Sequence, residues 1–121
     1  MSATFLIGAA VLGGLGAVFR FLLDGIVSTR APSSFPVGTL VVNLLGALVL
    51  GILIGSGMSG DAIRLLALGL LGGFTTFSTW VYETHRLAEE GMNLVAVANV
   101  LGSLVLGLLA IWAGQVLGGL F

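Results

Sequence analysis

Asn43 lies near the middle of an apolar run, Val37-Gly38-Thr39-Leu40-Val41-Val42-Asn43-Leu44-Leu45-Gly46. A primary amide stranded in hydrocarbon is costly, so this side chain must face protein or water. Thr39 stands four residues earlier and shares its helical face, which makes a polar track of two rungs. Such a track either bonds helices to one another or offers hydrogen bonds to a solute passing along it. The residue types alone leave both open.

A second concentration of chemistry is the run Gly72-Gly73-Phe74-Thr75-Thr76-Phe77-Ser78-Thr79-Trp80. Tandem glycine weakens helical order, and the hydroxyls of Thr75, Thr76, Ser78 and Thr79 compete for backbone hydrogen bonds. The pattern predicts either a simple kink or an interrupted helix in mid-membrane. Interrupted backbone is tolerated there only where it is buried in protein or lines a cavity, and the carbonyls it frees are hard oxygen ligands suited to an alkali cation. A cation held where two copies cross would also fasten a dimer. Phe74, Phe77, Trp80 and Val81 have packing as their default duty. An aromatic ring presented edge-on, however, can solvate a small anion without trapping it as a full charge would.

Other polar residues recur at helical spacing. Arg20 and Asp24, four apart near one end of an apolar run, are expected to pair as a clamp, and Arg20 could instead lend positive potential to an anion vestibule. Asn99 and Ser103, also four apart, give a hydrogen-bonding face that serves as bundle glue or as a pore side. Glu83, Arg86 and Glu90 have the spacing of helical ion pairs, each worth little if exposed. His85 has neither a cysteine nor a second histidine beside it, so no side-chain metal site is expected there. No serine, histidine and acid can be grouped into a nucleophilic constellation, and the chain reads as a non-enzyme.

These side chains need elements that hold them, and composition names the class. The chain has 121 residues, 58% of them hydrophobic and 7% charged, with 20 glycines. Soluble domains carry roughly a quarter charged residues, so this one cannot clothe a water-facing surface. It reads as an all-α integral membrane protein, multi-pass in the cell membrane. Four arginines, no lysine and a net charge of -1 exclude a basic groove for nucleic acid. With no cysteine, there is neither a disulfide nor a thiolate metal site.

Four spans are predicted, at about 5–27, 37–54, 62–84 and 93–116, in one transmembrane domain covering 1–121. The first would rise about 34 Å, enough to cross a hydrocarbon core. It is too long and too glycine-dotted for a signal peptide, and no basic residue precedes it. The second ends in a glycine- and serine-rich stretch in which Asp61 is placed to cap the third. Glycines along the first, second and fourth spans let backbones approach closely and favour association, including dimerisation. With four spans, both chain ends share one side of the membrane. That side holds Arg64, while the other holds Arg30 and Arg86, with Arg20 nearer to it. So weak a bias gives a poor orientation signal, and we expect insertion both ways round with antiparallel pairing.

The pattern Gly13-Gly14-Leu15-Gly16-Ala17-Val18-Phe19-Arg20-Phe21, followed by Gly38 to Gly46 and by Gly69-Leu70-Leu71-Gly72-Gly73-Phe74-Thr75-Thr76-Phe77-Ser78-Thr79-Trp80, resembles the small bacterial fluoride channels, the CrcB/Fluc family. The resemblance implies an antiparallel, dual-topology homodimer with a broken third helix and two narrow pathways, exporting fluoride passively and so lowering its toxicity. It implies a structural sodium ion at the dimer interface, held by the backbone carbonyls of Gly72 and Thr75 from both subunits. It assigns Asn43 as the pore asparagine and Phe77 as the first pore phenylalanine. Trp80 stands where relatives commonly carry phenylalanine, adding an N–H donor and bulk. Thr79 and Thr39 would be pathway hydroxyls, Ser103 a pathway residue on the fourth span, Arg20 a vestibule charge and Glu83 a group by the exit.

Two rival functions remain on the residues. A small proton-coupled exporter of cationic or guanidinium-type compounds wants an acid deep in a span, whereas Asp24 and Glu83 lie toward predicted ends. A membrane scaffold would use every polar group for packing and would pass no ion.

Overall fold

The computed structural model describes residues 2–121. Helix α1 (Ala3–Arg30) opens where the Ser2 hydroxyl accepts the Phe5 N–H at 3.1 Å, taking up one of the amides a helix start leaves free. It stops at Arg30, just before Pro32. Pro36 then precedes α2 (Val37–Gly55), where its missing N–H costs nothing and its carbonyl accepts from Leu40 at 3.1 Å. The α2 end turns through Gly57 and Gly60, whose φ of 79° and 76° only glycine adopts freely.

The third span, Gly60–Glu89, is not one helix. It consists of α3 (Gly60–Arg64), a π-helical stretch Leu65–Leu71, α4 (Gly72–Phe74), three non-helical residues and α5 (Ser78–Glu89). Helix α6 (Asn93–Gly118) completes the molecule. Among the described residues there is no strand, and four helices are long and apolar enough to cross a membrane.

The chain does unwind in the third span, though not at the tandem glycine. Gly72 and Gly73 are helical, and the break falls at Thr75 to Phe77. The glycines serve close packing instead. A Cβ on Gly73 would collide with the backbone of Gly13, and one on Gly16 with the Leu70 carbonyl, so α1 lies backbone to backbone against the segment just before the break. The π-helical turn, which no sequence signal announced, forms part of that contact through Leu70. Asp61 does not cap α3 either: it pairs with Arg64 at 3.3 Å, and Ser59 holds the cap position.

The second tight seam joins α2 to α6. Side chains added at Gly51 or Gly55 would strike the backbone around Ile111 to Gln115, and additions at Gly114 or Gly118 would strike Leu48 and Ile52. Two glycines four apart on each helix therefore oppose each other, the arrangement that lets helices associate where lipid competes equally for apolar surface. Large apolar side chains face outward over the whole molecule, including Phe21, Leu94, Leu108 and Trp112. Hydrocarbon, not water, is the solvent such a surface fits.

Candidate functional site

The site is built around the three residues that leave the third helix. At Thr75 the backbone becomes extended (φ -81°, ψ 160°), and its N–H and hydroxyl both donate to Leu71 O at 2.9 Å. Thr76 N–H, which in an unbroken helix would donate to Gly72 O, instead donates to Asn43 Oδ1 at 2.8 Å. Asn43 returns the bond through Nδ2 to Thr76 O at 2.9 Å. The side-chain amide of α2 thus imitates a peptide group, satisfying both backbone groups of Thr76 where the helix does not. Thr79 N–H, the helical donor to Thr75 O, is likewise diverted to Thr76 Oγ1 at 3.2 Å, and the two threonine hydroxyls meet at 3.1 Å.

Diverting those two amides deprives Gly72 O and Thr75 O of their helical donors. The next free carbonyl, Gly73 O, accepts from Arg20 Nε at 3.4 Å. Arg20 therefore reaches the break from α1 and does not pair with Asp24, whose carboxylate accepts from Ser28 at 3.1 Å. The expected clamp fails because a carbonyl stripped of its helical partner is within reach, whereas Asp24 has a hydroxyl one turn on.

An open groove of about 340 Å³ runs beside the break, lined by Asn43, Gly46, Gly72, Thr75, Thr76, Phe77 and Trp80, with Leu50, Ala67 and Ile111 among its apolar walls. Phe77 is 72% exposed, and its ring lies 5.5 Å from that of Trp80, tilted by 58°. The Trp80 N–H is not a free donor in this groove. It donates to Asn99 O on α6 at 3.2 Å. Asn99 in turn donates through Nδ2 to Thr84 Oγ1 at 2.8 Å and accepts from Ser103 at 3.4 Å.

Toward the end of α5, Thr39 donates to Glu83 Oε1 at 2.7 Å, and the other Glu83 oxygen lies 3.8 Å from Arg86. Arg86 also pairs with Glu90 at 3.3 Å, so both expected helical ion pairs form. Glu83 and Arg86 line a separate polar cup with Ser28 and Ser33. The two rungs Thr39 and Asn43 both face the third span, one at Glu83 and the other at the break. Thr39, Thr79, Ser103, Arg20 and Glu83 lie outside the groove lining, whereas Asn43, Gly72, Thr75, Phe77 and Trp80 are brought onto it. Thr84 was missed by sequence reasoning; its four-residue spacing from Trp80 was the available signal, and its hydroxyl donates to Trp80 O at 2.8 Å. Among the described residues no group of three or more acidic, histidine or cysteine side chains could hold a metal.

The sequence model of the family described as CrcB-like protein, Camphor Resistance (CrcB), matches residues 7–115. The chain belongs to the CrcB family. Its similarity to individual CrcB-family members runs nearly end to end. It is 49% identical over 114 residues to the fluoride-specific ion channel FluC 2 of Mycolicibacterium paratuberculosis, covering 94% of this chain and 93% of that one. It is 44% identical to the fluoride-specific ion channel FluC of Geobacter sulfurreducens, covering 92% and 94%. Against FluC 1 of Leifsonia xyli the identity is 41% over 99% of this chain and 90% of the other. This CrcB-family chain, with its four apolar helices, is a multi-pass cell-membrane protein.

Proposed function

We propose that the protein is a passive, fluoride-selective channel that lets fluoride leave the cytoplasm down its electrochemical gradient, and is not an enzyme. The observation that carries this is the end-to-end similarity to proteins named fluoride-specific ion channels. The geometry supports it with a groove that offers an amide, hydroxyls and aromatic edges but no carboxylate. Fluoride is small and strongly hydrated, so a pathway must replace its water with donors individually weak enough to release it. Asn43 and the rings of Phe77 and Trp80 are the donors of that kind beside the break, with Thr79 as a further hydroxyl, whereas the hydroxyl protons of Thr39 and Ser103 are engaged on Glu83 and Asn99 and support the wall behind it. Arg20 supplies positive potential on the α1 side, and Glu83 stands toward the exit.

In this reading the working unit is an antiparallel homodimer whose copies insert in opposite orientations. The weak arginine bias and the heavily exposed apolar surface around Phe77 support it. A sodium ion fits between two breaks, because Gly72 O and Thr75 O are neutral hard oxygens whose amide donors are spent elsewhere. Four such carbonyls, two from each copy, would hold it, and its charge would fasten the interface.

The test is efflux of fluoride from liposomes reconstituted with the protein, with no proton gradient imposed. Electrogenic release of fluoride but not chloride is expected. Release that requires a proton gradient would favour a coupled exporter, and no release would favour a scaffold.

A further inference from the structure

We propose that Asn99 is the positioning residue for Trp80, and that the indole N–H is a strut between helices and not a ligand of the permeating ion. The proposal deepens the channel reading and rests on it. Two hydrogen-bonded links run between α5 and α6 and end on the same pair of residues. In one, the indole N–H of Trp80 donates to the backbone carbonyl of Asn99 at 3.2 Å. In the other, the Asn99 side chain donates to Thr84 at 2.8 Å, and the Thr84 hydroxyl donates to the Trp80 carbonyl at 2.8 Å. The two links close a ring that holds Trp80 by its backbone and by the pyrrole edge of its side chain.

An aromatic ring attached only through Cβ swings between rotamers, and a bond at its outer edge removes that freedom. Asn99 is suited to anchor it because it is 1% exposed and has both ends of its amide engaged, Nδ2 on Thr84 and Oδ1 on Ser103. A fully satisfied buried network is rigid, and breaking one member leaves others unpaired. The chemical consequence concerns the groove. With its indole N–H committed to α6, the Trp80 ring offers an anion carbon-bound hydrogens, as phenylalanine does, and its 5.5 Å tilted contact with Phe77 is fixed from behind by α6. Ser103, which donates to Asn99 and is absent from the groove lining, supports the anchor.

The experiment is a double-mutant cycle read by fluoride efflux, paired with a spectroscopic readout. Efflux is measured for the wild type, Asn99→Leu, Trp80→Phe and the double variant, each checked for intact assembly by size-exclusion chromatography. If Asn99 acts through the indole, Asn99→Leu lowers efflux about tenfold with Trp80 present and by less than about threefold when Trp80→Phe is the reference. Equal losses in both backgrounds would overturn the proposal while leaving the channel reading intact, whereas a wild type that releases no fluoride would sink that reading itself. Independently of flux, Trp112→Phe leaves Trp80 as the sole tryptophan. The hydrogen-exchange rate of its indole N–H should be slow in that protein and rise at least about tenfold when Asn99→Leu is added. An indole proton that exchanges freely before the Asn99 change would overturn the strut, and one unaffected by that change, which keeps the accepting backbone carbonyl, would overturn the positioning role of the Asn99 side chain.

Discussion

Asn43 illustrates why a neutral side chain can be irreplaceable. Its amide both donates to and accepts from Thr76 at 2.9 and 2.8 Å, a complementarity that aspartate cannot reproduce because it has no donor when ionised. Asn43→Asp would place a carboxylate against the Thr76 carbonyl and beside an anion route. Fluoride efflux is expected to fall at least about a hundredfold, a change of roughly 3 kcal/mol in the barrier. Retained efflux in that variant would remove Asn43 from the pathway. Phe77 poses a different test, since its exposed ring packs little within one copy. Phe77→Ile replaces polarised ring edges with aliphatic surface, so throughput should drop about tenfold or more while chromatography still reports the wild-type assembly. The sequence made Asn43 conspicuous because an amide in hydrocarbon demands an explanation. Its partner was hidden, because nothing in composition says that a side chain on α2 will complete the backbone of residue 76.

At the scale of elements, the third span depends on α1. The backbone contact of Gly73 with Gly13, and of Gly16 with Leu70, leaves no room for a β-carbon. Gly73→Val would push α1 away and separate Arg20 from the Gly73 carbonyl, at a cost of about 1–3 kcal/mol from overpacking. Its thermal unfolding midpoint in detergent should fall by several degrees, whereas Gly107→Ala, where a Cβ meets nothing within 4 Å, should leave it in place. A matched decrease in both would assign the effect to helix flexibility and not to the seam. Span number and approximate extent were legible from apolar runs between prolines and glycines. The location of the break was not, because the threonines and the Asn43 amide jointly decide it, and the glycines that drew attention are helical packing positions.

For the whole molecule, the absence of cysteine allows clean labelling, since one introduced near either terminus is the sole thiol. If the protein inserts both ways, a membrane-impermeant thiol reagent applied to intact cells labels about half of the copies, and permeabilisation exposes the rest. Labelling of all or none would contradict dual topology. If a sodium ion fastens two copies together, replacing sodium throughout by a bulky organic cation should slow efflux or weaken the dimer, because two sets of freed carbonyls would then face each other without a charge between them. Unchanged efflux and assembly after exhaustive exchange would remove sodium from the interface.

Composition and hydropathy by themselves determined that this chain is a helical membrane protein with four spans, since a chain with 7% charged residues cannot clothe a water-facing surface. The order of its motifs also carried the family. Tertiary structure alone decided which polar groups meet: Arg20 with a break carbonyl instead of Asp24, the Trp80 N–H with α6 instead of the groove, and Asn43 with the backbone of Thr76. The reason is physical. In hydrocarbon each donor must find an acceptor, and which acceptor is free depends on where a distant helix has lost its own hydrogen bonds.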